Sequence, residues 1–116
     1  MTSTLCLRIA ALSGFLAVAL GAFGAHSLRP ILTQHERLGT WDTAVLYHLF
    51  HTVVLLVLAM RPTVATGAVV SFLFGICLFS GSLYLLALTN IRWLGAITPL
   101  GGIGFLLGWV LLWWQR

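Results

Sequence analysis

The chemistry this sequence could perform rests on imidazole and hydroxyl groups set among apolar residues. His48 and His51 sit in one apolar run beside Thr43 and Tyr47. On a helix Thr43, Tyr47 and His51 fall at four-residue spacing on one face, with His48 adjacent. Ser80, Ser82 and Tyr84 belong to a second apolar run, and Thr98 opens a last one. His26 and Asp42 flank the polar stretch Thr33-Gln34-His35-Glu36-Arg37. The candidate site is therefore His26, Asp42, Tyr47, His48, His51, Ser80, Ser82, Tyr84 and Thr98, gathered into a polar pocket between helices. Asp42 also reads as a helix-start residue whose charge the helix dipole favours.

Three chemistries compete for these groups. The first is binding of a lipid, a quinone or a partner subunit, with no reaction performed. The second is a metal or haem site on His48 and His51 with His26 as third ligand, since neutral imidazole is a common metal ligand. Such pairs usually come with a carboxylate or a further histidine. The third is a small proton-coupled carrier working through His48 or His51, for which a broken last helix would suit a substrate site. Known four-helix exporters of this size use a carboxylate in their first helix, and here that stretch has none. A Ser-His-carboxylate set, a paired acid and a phosphate-binding loop are all missing, so the expectation is a protein that is not an enzyme. An ionisable group inside a membrane points to function by default. The alternative is a neutral ring hydrogen-bonded across helices to a Ser, a Tyr or a carbonyl.

Composition decides which elements carry these residues. Of 116 residues, 60% are hydrophobic and 7% charged, against about a quarter charged in soluble domains. Such a chain cannot cover a folded surface with polar groups, and lipid is its solvent. A helix needs roughly 20 apolar residues to cross the hydrocarbon core. The sequence supplies four such segments, at about residues 8–27, 40–60, 66–88 and 93–114, and short connections between them. The expected fold is all-α: one transmembrane domain over residues 1–116, a four-helix bundle. The net charge of +4 comes from six scattered arginines and no lysine, which form no patch for nucleic acid. Cys6 and Cys77 have no CxxC spacing and read as buried, inert thiols.

Small residues mark where the helices meet. Ala17, Gly21 and Ala25 stack in the first segment, Gly67, Ser71 and Gly75 in the third, and Gly104 and Gly108 in the fourth. Such faces let helices approach closely in lipid. They serve packing within one bundle or association with a second copy or another membrane protein, and spacing does not choose between them. Arg8 followed by an apolar run resembles a signal peptide, but the segment is expected to remain as a helix. Arg29-Pro30 ends the first segment, a loop covers Pro30 to Gly39, and Trp41 anchors the second segment at the interface. Pro99 beside Gly101 and Gly102 should kink or break the fourth segment. At about 1.5 Å per residue His51 lies roughly 15 Å beyond Trp41, near mid-membrane. The polar pocket is expected to open toward the loop side opposite the termini.

Four crossings put both termini on one side, with Arg8, Arg61 and Arg116. Arg29, Arg37 and Arg92 occupy the other, so the positive-inside count is tied. The free amino terminus and the lack of acids on the terminal side favour cytoplasmic termini.

The blocks Gly21-Ala22-Phe23-Gly24-Ala25-His26, Trp41-Asp42-Thr43-Ala44 and Tyr47-His48-Leu49-Phe50-His51 are distinctive together. So are Gly75-Ile76-Cys77-Leu78-Phe79-Ser80-Gly81-Ser82-Leu83-Tyr84 and Leu94-Gly95-Ala96-Ile97-Thr98-Pro99-Leu100-Gly101-Gly102. Over nearly the whole chain they resemble the YgdD-like family of small bacterial inner-membrane proteins, a family of unknown function with eukaryotic transmembrane relatives. The resemblance implies a four-helix inner-membrane protein and supplies no catalytic residue or cofactor.

Overall fold

The structure, a computed structural model, describes residues 1–115; Arg116, one of the charges weighed above, lies outside them. It is all-helical among the described residues, with four helical stretches long and apolar enough to cross a membrane: Ser3–Ala25, Leu38–Ala59, Thr66–Thr89 and Arg92–Trp114. Helix α1 (Ser3–Ala25) starts earlier than the apolar run suggests, because the Thr2 hydroxyl caps it by accepting from Leu5 N at 3.1 Å. The expected loop after Arg29-Pro30 is instead a short helix, α2 (Arg29–Gln34). Proline stops α1 but fits the first turn of α2, where its missing N–H is not needed. Glu36, in the left-handed region at φ 58, turns the chain into α3 (Leu38–Ala59). Asp42 thus lies beyond the first turn of α3, exposed, and does not cap it.

The third crossing is not one regular helix. It comprises α4 (Thr66–Gly75), a π-helical turn at Ile76–Ser80 and α5 (Gly81–Thr89), with the Gly81 N–H reaching back to the Ile76 carbonyl. The fourth begins as a 3-10 turn, Arg92–Ala96, breaks at Ile97 and continues as α6 (Thr98–Trp114) with Pro99 in its first turn. That is the break Pro99 announced.

The bundle is flattened, with extents of 47 × 26 × 16 Å. α1 lies along α3, α3 against the π turn and α5, and α4 with the π turn against α6. The α1 seam with α3 is Cys6, Ala10, Ser13, Ala17 and Gly24, alternating steps of four and three as in a left-handed helix pair. Ala25 of the expected small-residue face is exposed. Trp41 is buried rather than interfacial: its indole lies against Gly24 and donates to the Leu20 carbonyl at 2.9 Å. Gly101, Gly104 and Gly108 bring α6 close to the third crossing; a Cβ on Gly101 would sit 2.6 Å from Leu78 C and Phe79 Cα. The small-residue faces are thus largely used inside one chain. The long rows of exposed Leu, Val and Phe on the outside are what lipid requires.

Candidate functional site

The deepest polar cluster is built on three crossings. α3 presents His48 and, one turn on, Thr52; α1 presents Ser13; α5 presents Tyr84. His48 Nδ1 is 2.9 Å from the Tyr84 hydroxyl and its Nε2 is 3.1 Å from Ser13 Oγ. Ser13 Oγ is 2.6 Å from Thr52 Oγ1, which donates to the His48 carbonyl at 2.8 Å. Ser13 lies roughly 15 Å along α1, so the cluster sits at mid-membrane depth.

The direction of each bond follows from counting protons. A hydroxyl has one to give, and Thr52 gives its own to the His48 carbonyl. Ser13 must then donate to Thr52 and accept from His48. A neutral ring that donates through Nε2 is bare at Nδ1, and there it accepts from Tyr84. No carboxylate touches the ring to hold it charged: Glu36 and Asp42 lie at the end of the bundle, and Asp42 is exposed. The chain therefore runs Tyr84 to His48 to Ser13 to Thr52 and closes on the α3 backbone.

Three members of this cluster, Ser13, His48 and Tyr84, form part of the wall of a groove of about 360 Å³ between α1 and the third crossing, and Thr52 lies behind them. Ser13, His48, Tyr84 and Cys77 line it, with Leu12 and Leu16 along its rim. Its lining runs along the middle of α1 (Ile9 to Leu20) and of the third crossing (Leu73 to Tyr84), away from the loop end where the sequence placed the pocket's mouth. Cys77 is exposed there, contrary to the expectation of a buried thiol, whereas Cys6 is buried with its thiol 3.6 Å from the Leu55 carbonyl.

The remaining expected residues are distributed elsewhere. His51 turns toward α6: its Nδ1–H donates to the Tyr47 carbonyl at 2.8 Å, and its Nε2 accepts from Trp109 Nε1–H at 3.3 Å. Its ring stacks on Phe105 with centroids 3.8 Å apart. Because an indole can only donate, Nε2 is bare and the ring is neutral. Tyr47 lies beside His51 in a separate groove between α3 and α6. A third groove, about 390 Å³, meets Tyr84 from the other side and includes Ser82. There Ser82 donates to the Phe79 carbonyl at 3.0 Å, so Thr98 donates to Ser82 at 2.7 Å. Ser80 is sealed, giving its proton to the Ala44 carbonyl at 2.8 Å. His26 is exposed beyond the end of α1, bonded to its own Ala22 carbonyl at 2.9 Å.

His26, His48 and His51 therefore do not converge, and no group of three or more His, Cys, Asp or Glu among the described residues could hold a metal. Two residues at a three-residue step differ by about 60° around a helix, enough here to send His48 and His51 to opposite neighbours. Ser13 and Thr52 are the members that sequence reasoning missed. The available signal was the four-and-three spacing that places Ser13 on the α1 seam.

A model of a protein family of unknown function, DUF423, matches residues 20–102. The chain belongs to that family. Relatives span most of its length: the inner membrane protein YgdD of Escherichia coli K12, of the group UPF0382, is 45% identical over 97% of this chain and 88% of its own. The UPF0382 membrane protein YwdK of Bacillus subtilis is 43% identical, covering 90% of this chain and 89% of the relative. A Staphylococcus saprophyticus member is 44% identical over 90% and 89%. No solved structure matches the chain. Like the family, this chain is a multi-pass membrane protein of the bacterial inner membrane, and the family's names carry no enzymatic activity.

Proposed function

We propose that the chain is a non-enzymatic binding protein of the inner membrane that seats the head of a lipid-soluble amphiphile in the groove between α1 and the third crossing. The observation that carries this reading is the position of Tyr84, His48 and Ser13, three linked members of the buried polar chain, on the wall of that groove. Ligand sites are mostly apolar with a few placed polar groups, and this groove has that make-up. A larger groove of about 490 Å³ between α3 and α6 is lined by aliphatic side chains with Phe50 and Trp109. It offers an acyl chain a surface but no head group a partner. The same reading takes residues 1–116 as one transmembrane domain, supported by packing that runs from α1 through α3 and the third crossing to α6. It also takes both termini as cytoplasmic; the Met1 ammonium donates to Thr66 Oγ1 at 3.2 Å, which puts the amino end beside the start of α4.

Native mass spectrometry in mild detergent tests the proposal. Protein extracted from membranes should carry a lipophilic adduct at one per chain. Leu16→Trp, which fills the groove, should lose it, and Leu56→Trp on lipid-facing α3 outside the groove should keep it. Equal adducts in both variants, or none in the parent protein, would overturn the reading.

A further inference from the structure

We propose that this groove selects amphiphiles whose head bears a hydroxyl (lipid-soluble alcohols and phenols) over carbonyl or ether counterparts of the same skeleton. The inference rests on the binding reading above and specifies the chemistry of its ligand. The three strong donors on the groove wall are already committed, Tyr84 to His48, His48 to Ser13 and Ser13 to Thr52, and Thr52 behind them gives its proton to the α3 backbone. What the wall still offers is oxygen lone pairs, on Tyr84 and on Ser13. The far side of Tyr84 repeats the pattern, since Thr98 donates to Ser82 and Ser82 to the Phe79 carbonyl. Cys77 adds a thiol, which is a weak donor. A head group that brings its own proton completes a hydrogen bond here. One that brings only a carbonyl or ether oxygen meets lone pairs and leaves its own unpaired, at a cost in a site without water.

The exposed Cys77 lines this groove and the one beyond Tyr84, so its alkylation reports occupancy on either side of Tyr84. Leu16→Trp, which fills only this groove, should abolish the protection if the ligand sits here, and the buried Cys6 stays silent. The wild-type protein in phosphatidylcholine nanodiscs is treated with a membrane-permeant maleimide in the presence of matched pairs. One pair is a secondary dodecyl alcohol and the corresponding methyl ketone. The other is para-octylphenol and its methyl ether. The hydroxyl member of a pair should protect Cys77 at a concentration about tenfold lower than its partner, the worth of one buried hydrogen bond made rather than left unmade. Whichever pair shows this identifies the source as aliphatic or phenolic. His48→Leu frees the Tyr84 proton and should bring the members of that pair to near parity. Equal protection by both members in wild type overturns the donor rule and leaves the groove reading standing. No protection by any of the four overturns both. Full discrimination retained in His48→Leu overturns the assignment of the Tyr84 proton to His48.

Discussion

The proton order of the buried chain makes unequal demands on Ser13 and Thr52, and a double-mutant cycle measures the difference. Ser13→Ala removes the acceptor of the His48 Nε2–H; the ring keeps a partner only by moving that proton to Nδ1 and donating to Tyr84, which strands the phenol proton instead. The expected loss is the desolvation penalty of an unsatisfied group, about 1–3 kcal/mol. Thr52→Val keeps the γ-methyl that faces Gly14, where an added Cβ would lie 3.4 Å from it, and removes only the hydroxyl. Ser13 can then re-aim its proton at the carbonyl four residues back on α1, as serine in helices does. Thr52→Val should therefore cost only a net hydrogen bond, about 0.5–1.5 kcal/mol. In the Ser13→Ala background the Thr52 hydroxyl has already lost its cross-helix partner, so adding Thr52→Val should cost little more. The coupling is then about 1 kcal/mol, against the 0.3–0.5 kcal/mol scatter of independent sites. Equilibrium unfolding in mixed detergent–SDS micelles gives the four free energies. Nitrogen NMR of histidine-labelled protein gives the polarity directly, with His48 protonated on Nε2 and His51 on Nδ1. Additive variants, or a His48 ring carrying its proton on Nδ1, would refute the proton count.

Two neighbouring glycines on α6 should respond very differently to the same substitution. Gly101→Ala drives its Cβ into the backbone of Leu78 and Phe79 and should destabilise by about 3 kcal/mol, the upper end for overpacking. Gly102→Ala meets only the Phe79 ring edge at 3.9 Å and should be neutral or slightly stabilising; unfolding in SDS micelles that ranks the two equally would contradict the close crossing. In nanodiscs a membrane-permeant maleimide should label Cys77 ahead of Cys6, which reacts only after unfolding, as peptide mapping would show; labelling of Cys6 first would contradict the α1–α3 seam. Reporter fusions active only in the cytoplasm should be active at either terminus, and activity confined to the periplasmic reporter would reverse the proposed orientation.

The crossings were legible because lipid imposes one strong rule, an apolar run about 20 residues long, and the Pro99 break because proline cannot continue a helix. The inward-facing histidine at position 48 was legible by the same rule, as a polar group too costly to leave in lipid. The division of the candidate residues among three grooves was not, since spacing along α3 gives an azimuth but not the identity of the neighbour it meets. Tyr47 and His51 were placed with His48 on the strength of adjacency, and the packing of α6 took them elsewhere. A serine such as Ser13 gives no sequence signal for a cross-helix bond, because back-bonding to its own helix satisfies it equally well. The π turn at Ile76–Ser80 was also hidden, since one added residue per turn leaves no compositional trace. Its position has a physical account in the packing around it. Gly101 presses on its backbone and Ser80 ties it to the Ala44 carbonyl.

Burial of polar groups in lipid is expensive whatever their purpose, so a satisfied network is not by itself a sign of function. Ser80 and Trp41 show the purely structural solution: each gives its one proton to a carbonyl of a neighbouring helix, and each is sealed from the surface. His51 approaches it, with both ring nitrogens committed and an aromatic ring on its face. The His48 chain differs in two respects. It spends four groups where one hydroxyl to a carbonyl would tie α3 to α1, and three of them, Ser13, His48 and Tyr84, line a groove, with lone pairs on the two hydroxyl oxygens not used within the chain. The proposed ligand would supply a proton to those lone pairs, and this is why the matched alcohol and ketone, rather than the loss of His48 alone, decide between scaffold and site.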